Sequence, residues 1–151
     1  MEVCMNWLGV PLTLLAGAML ALQIGVNSTL ARNAGSALWA SGASFVVGSL
    51  ALGLCYLGLR LPWPGVEALR AAPAWSWTGG LLGAFYVTTL IIFAPRIGAT
   101  LALALVIAGQ LTGALLLDRF GLFGFAPQAI TPGRLAGLVM ILAGAVLVRR
   151  F

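Results

Sequence analysis

The chain has 151 residues, of which 62% are hydrophobic and 7% charged, where an ordinary soluble domain has about 25% charged residues. A bilayer span takes about 20 mostly apolar residues, so this length is expected to hold five spans and neither a soluble catalytic domain nor a complete two-repeat transporter. The formal net charge of +5 comes from eight arginines, scattered singly or in pairs between apolar runs instead of along one face, which excludes nucleic acid as the partner.

The predicted elements form a single membrane domain over residues 1–151, all-α and integral to the bilayer. Five helices are expected at about 8–30, 37–59, 75–94, 98–117 and 132–148, each ended by arginine or proline: Arg32, Arg60 to Pro64, Pro95-Arg96, Asp118-Arg119 and Arg149-Arg150. The first is too long for a secretory core, carries Glu2 in its flank and contains Gln23 and Asn27, so it is read as retained. Only Pro95, Arg96 and Ile97 intervene before the fourth, which predicts a tight antiparallel hairpin. The fifth has the shortest uncharged stretch, and Thr131 as N-cap, Pro132 in the first helical position and a snorkelling Arg134 lengthen it. The tryptophans and phenylalanines of the longer connections, 60–74 and 118–130, are expected at headgroup level.

Cys4 and Cys55 have neither disulfide nor metal spacing and are expected to be small buried apolar side chains. No metal and no cofactor is implied. With no histidine and no lysine, and with Glu2, Glu67 and Asp118 all outside the spans, acid–base and metal chemistry lack participants, so the chain is not read as an enzyme.

Small residues recur at helical packing intervals, as at Gly17, Ala21 and Gly25, at Ser44 and Gly48, at Gly79 and Gly83, and at Gly109 and Gly113. They either allow close helix approach or reflect the general enrichment of glycine in spanning helices. In the fifth helix, Gly137 and Gly144 repeat after seven residues, the pattern of a left-handed helix pair and a candidate dimer contact.

Polar side chains deep in hydrocarbon are costly unless paired or facing water, and so mark candidate sites. Gln23 and Asn27 share a helical face, while Tyr86 and Gln110 lie near the middles of the third and fourth helices. These four are the candidate substrate-binding residues, with Ser44, Thr89, Asp118 and Arg32 as possible accessories and Ser41 on the face of Ser44. The competing reading makes the amides hydrogen-bonded packing contacts, the serines and threonines bonded to their own helix, and Asp118-Arg119 an interfacial ion pair. A lining without charge suits a neutral or zwitterionic small metabolite, because burying an unpaired ion costs far more than burying a hydrogen-bonded neutral group.

Five spans put the termini on opposite sides. Arg60, Arg70, Arg119 and Arg134 then lie on the N-terminal face, and Arg32, Arg96, Arg149 and Arg150 on the other, four against four. Orientation normally follows an excess of Lys/Arg on the cytoplasmic side, so the balance predicts insertion both ways. An antiparallel homodimer would then supply the inverted repeat that alternating access uses.

The stretches LALQIGVNSTLARNAGSALWASGASFVVGSL at 20–50, GGLLGAFYVTTLIIFAPRIGATLALALVIAGQLTGALLLDRFGLFG at 79–124 and ITPGRLAGLVMILAGAVLV at 130–148 resemble the drug/metabolite transporter superfamily, specifically its small five-helix YdcZ-like family. The resemblance implies one inverted-repeat half of a ten-helix transporter of the EamA type, in the bacterial cytoplasmic (inner) membrane. It also implies pairing as an antiparallel dimer or with a related small paralogue. The related small multidrug-resistance exporters rely on a first-helix glutamate, and here no carboxylate occurs between Leu8 and Leu59. The expected function is a transporter of a neutral or zwitterionic small metabolite. The alternatives are a non-transporting membrane subunit or scaffold, or half of a heterodimer.

Overall fold

The computed structural model describes residues 2–150, with side chains from Trp7 onward, and among them six α-helices and no strand. They are α1 (Glu2–Ala34), α2 (Ala37–Gly58), α3 (Val66–Ala71), α4 (Gly79–Ile97), α5 (Ala99–Phe120) and α6 (Pro132–Arg150). All but α3 belong to the five stretches long and apolar enough to cross a membrane, and four fifths or more of the residues in most of these stretches keep their surface open. That is the expected distribution where lipid, and not water, is the solvent, since every backbone polar group is paired within its helix.

Four of the spans run past their predicted ends, and α2 stops one residue short of its own, at Gly58. Residues 2–34 form one 33-residue helix with Pro11 inside it and Arg32 in the last turn, where a cation meets the negative end of the helix dipole. At 1.5 Å per residue this is about 50 Å, well beyond the roughly 30 Å hydrocarbon core. Gly35 ends α1 with φ of 71°, a conformation glycine adopts without strain. Ser36 caps α2, its Oγ accepting from the Trp39 N–H at 3.2 Å. α4 continues through Pro95, Arg96 and Ile97, so the connection to α5 is Gly98 alone, at φ of 89°, and not the three residues expected. Pro132 occupies the first position of α6, and the Arg134 N–H donates to Thr131 Oγ1 at 3.4 Å, the expected cap.

The chain forms two compact units, residues 1–95 and 96–151. In the first, α1 packs on α2. α4 joins them through side chains around a small core of Ala40, Val87 and Ile91, flanked by Leu30, Ala31, Ala37 and Tyr86. The partners differ in size, and Ala40 is fully buried beneath the branched Val87 and Ile91, the small-against-large fit that lets spanning helices approach. In the second unit, α5 packs on α6. Gly121 ends α5 in the left-handed conformation, its N–H bonded to the Leu117 carbonyl. A 3-10 turn, Leu122–Gly124, follows it.

Among the connections, the Trp63 ring stands 5.0 Å from that of Tyr56, whose hydroxyl donates to the Pro62 carbonyl. Trp63, Trp75, Trp77, Phe120, Phe123 and Phe125 are all exposed. Cys55 corrects its expectation: it is exposed, because its helix face carries neighbours that are themselves turned outward. Cys4 lies outside the described side chains.

Candidate functional site

Residues 23, 24 and 27 lie within about one turn of α1, which puts them on one face at 3.6 residues per turn. Of these Ile24 and Asn27 are buried and Gln23 is partly buried. Opposite them α4 presents Tyr86, Val87, Leu90 and Ile91, and the two sets enclose a cavity that Leu20 completes. Its volume is about 10 Å³, room for about one water. Its polar lining is two amides and a phenol, and it carries no ionisable carboxylate, arginine or histidine.

Asn27 is the most constrained of the polar groups. It is 5% exposed, and its side chain makes no hydrogen bond to any described residue. The Asn27 amide opens onto the cavity, where a water can serve as its partner. Ser28, its neighbour, holds the one buried side-chain polar atom without a partner among the described residues, its Oγ. By contrast, Thr29 is satisfied by its own helix, with Oγ1 donating to the Gly25 carbonyl at 2.9 Å.

A second cavity of about 240 Å³ opens between α1 and α2, lined by Gln23, Ser44, Phe45, Gly48, Ser49 and Leu52. Gln23 is thus common to both spaces.

The structure brings Gln23, Asn27 and Tyr86 to one cavity and Ser44 to the neighbouring one. Gln110 is exposed on α5, in the second unit. Thr89 lines neither cavity; the hydroxyl that engages a neighbour is Thr88, which donates to Ser41 Oγ at 2.8 Å. Sequence spacing pointed one residue too far along α4, and the 3.6-residue period alone gives no absolute phase for an apolar helix. Arg32 stays at its helix end, donating to Thr29 Oγ1 at 3.0 Å. Ser49 went unrecognised in the sequence, although it lies five residues beyond Ser44 in α2.

In the second unit, Asp118 pairs with Arg134, Nη1 to Oδ2 at 3.2 Å, and not with the adjacent Arg119. Arg134, expected to snorkel, also donates to Gln128 Oε1, and the Gln128 N–H donates to the Asp118 carbonyl at 2.8 Å. These bonds tie the end of α5, its loop and the start of α6 together. Below them runs an apolar cleft of about 330 Å³ that includes Leu111, Leu115, Gly137 and Ile141. Gly137 therefore faces α5 of its own chain, and Gly144 is half-buried on the same helix. Among the described residues no cluster of three or more histidine, cysteine, aspartate or glutamate side chains is placed to hold a metal.

The family model described as "Putative inner membrane exporter, YdcZ" matches residues 8–147, which take in all five spans. The chain belongs to the YdcZ family. Over 84 residues it is 34% identical to the inner membrane protein YdcZ of Escherichia coli (strain K12), a stretch covering 56% of this chain and 56% of that relative. The match thus spans about half the length of the curated relative. No solved structure matches the chain. As a YdcZ family member with five apolar spans, it is a multi-pass protein of the bacterial inner membrane.

Proposed function

We propose that this chain moves a neutral or zwitterionic small metabolite by alternating access, as an antiparallel homodimer whose protomers insert in opposite orientations. The observation that carries the choice of substrate is a cavity lined without charge, in which the amides of Asn27 and Gln23 stand beside the Tyr86 phenol. These groups can bond a solute with a matching donor or acceptor. An ion there would have no counter-charge, and its desolvation would go uncompensated. The even division of arginines supports the paired orientation, since neither face carries the excess that fixes insertion. Two oppositely inserted copies are related as the inverted repeats of larger transporters are.

The test uses purified protein in vesicles with a panel of radiolabelled neutral and zwitterionic metabolites. Wild type should carry at least one of them saturably, and Asn27→Ala and Gln23→Ala should each lower that flux at least tenfold while leaving the oligomer intact. Unchanged flux in both variants would refute the site. Conductance in place of saturable flux would make the protein a pore.

A further inference from the structure

The Asn27 cavity, at about 10 Å³, has room for about one water and none for a metabolite. Across Gln23 lies a much larger space, of about 240 Å³, between α1 and α2. The two are not alike. The larger presents the Gln23 amide and the Ser44 and Ser49 hydroxyls as its polar edge, with Phe45 and Leu52 as its apolar flank, and Gly48 keeps the α2 surface low between them. The Gln23 side chain makes no hydrogen bond to any described residue, so rotating it breaks no bond.

One wall of the larger space rests on α4. The tip of the Phe45 ring lies against Gly83 of α4, so near that a methyl group added at Gly83 would stand 3.2 Å from Phe45 Cζ. That is tighter than ordinary van der Waals contact, and the ring would have to move. Gly83 itself lines neither space. Its lack of a side chain is what allows the ring to lie back on α4.

We infer that the space between α1 and α2 is the solute-binding vestibule of the transport site, that Gln23 hydrogen-bonds the solute where this space meets the one-water Asn27 chamber, and that Phe45 seated on Gly83 sets the largest solute admitted. This rests on the reading of the Asn27 and Gln23 cavity as the substrate site and adds its chemical class: a small neutral molecule with a hydrogen-bonding edge and an apolar flank. Primary aliphatic amides have that form, and their length varies one carbon at a time.

The experiment follows thermal unfolding of the purified, detergent-solubilised protein by tryptophan fluorescence while adding acetamide through octanamide; no tryptophan lines either space. A ligand that binds only the folded form raises the unfolding temperature with its concentration. In wild type the stabilisation should rise with chain length and fall away beyond a limiting length within the series. Phe45→Ala should move that limit to longer amides, and Gly83→Ala, by pushing the ring forward, to shorter ones. Phe45→Ala combined with Gly83→Ala should behave as Phe45→Ala alone, because the added methyl then has no ring to push. Phe45→Leu, a smaller change, should move the limit in the direction of Phe45→Ala and serves where the alanine variant does not fold.

A limit identical in wild type, Phe45→Leu and Gly83→Ala overturns the role of Phe45, as does the absence of any stabilisation of wild type. The two readings separate through Asn27→Ala. If that variant abolishes stabilisation while the limit ignores Phe45, the Asn27 site stands and the vestibule falls. If stabilisation is indifferent to both Asn27→Ala and Gln23→Ala, the site itself falls.

Discussion

Thr88 donates to Ser41 at 2.8 Å, and Ser41 in turn donates to the Ala37 carbonyl at 2.9 Å. Each hydroxyl has one proton to give, so the pair runs in one direction from α4 through α2 into its backbone. It is the polar contact that holds α4 against the α1–α2 pair beside the Ala40 core, and it fixes the wall on which Tyr86 and Val87 stand. Interhelical hydrogen bonds in membranes contribute about 0.6 kcal/mol on average and up to about 1.7. Ser41→Ala should therefore lower stability by about 1 kcal/mol in a detergent unfolding titration. Adding Thr88→Val should cost little more, since both substitutions delete one interaction. A fully additive double variant would show that the two hydroxyls act separately.

Gly121 carries a constraint of a different kind. It ends α5 at φ of 60°, and an added Cβ would stand 2.8 Å from Pro127 Cγ and 3.3 Å from the Phe125 carbonyl oxygen. Alanine there meets both the left-handed backbone cost of about 1–2 kcal/mol and a clash with a rigid ring. Gly124, at φ of 85°, has open space around it, so its alanine variant meets the backbone cost alone. Gly121→Ala is expected to be the more destabilising of the two by thermal unfolding. Equal losses would show that Pro127 yields.

The five spans were legible from apolar runs, because lipid demands uninterrupted apolar helices; their ends were less so, since α1, α4 and α5 continue past the arginine or proline read as their limits. Asn27 and Gln23 were legible as a pair because two amides four residues apart in an apolar helix have few inexpensive places to be. The partners of Asp118 and Ser41 were not legible. Arg119 is adjacent in sequence to Asp118, but successive helical residues point about 100° apart, whereas Arg134 returns across the α5–α6 connection to meet it. Likewise Thr88 and Thr89 differ only in phase, and the contact with Ser41 that chooses between them is tertiary. Gln110 showed the same ambiguity: an amide in a span marks a polar face without saying which neighbour that face meets.

The Asp118–Arg134 pair is about one third exposed on each side chain, 30% and 36%, and such pairs contribute about 0–1 kcal/mol. Asp118→Asn should therefore cost less than about 1 kcal/mol and should lose part of that effect in high salt, where exposed charges are screened. Arg134→Gln removes the bond to Gln128 as well and should cost more than Asp118→Asn. A measurement of unfolding at low and high ionic strength separates them: a salt-independent loss in Asp118→Asn would assign its contribution to packing and not to charge.

The division of arginines gives the sharpest prediction about the whole chain, because it turns on counting. With four on each face, neither side carries the excess that retains loops in the cytoplasm. Replacing Arg149 and Arg150 by glutamine leaves two on the C-terminal face against four on the other, so the N-terminal face should move to the cytoplasm in most molecules. Replacing Arg60 and Arg70 should bias the population the opposite way. Paired C-terminal reporters, one active only in the cytoplasm and one only outside, measure the split. Both should be active in wild type, and each variant should silence a different one. If a dimer of opposed copies carries the flux, each variant alone should lose transport, and co-expression of the two should restore it, because together they supply both orientations. Full transport by either variant on its own would show that opposed insertion is not required.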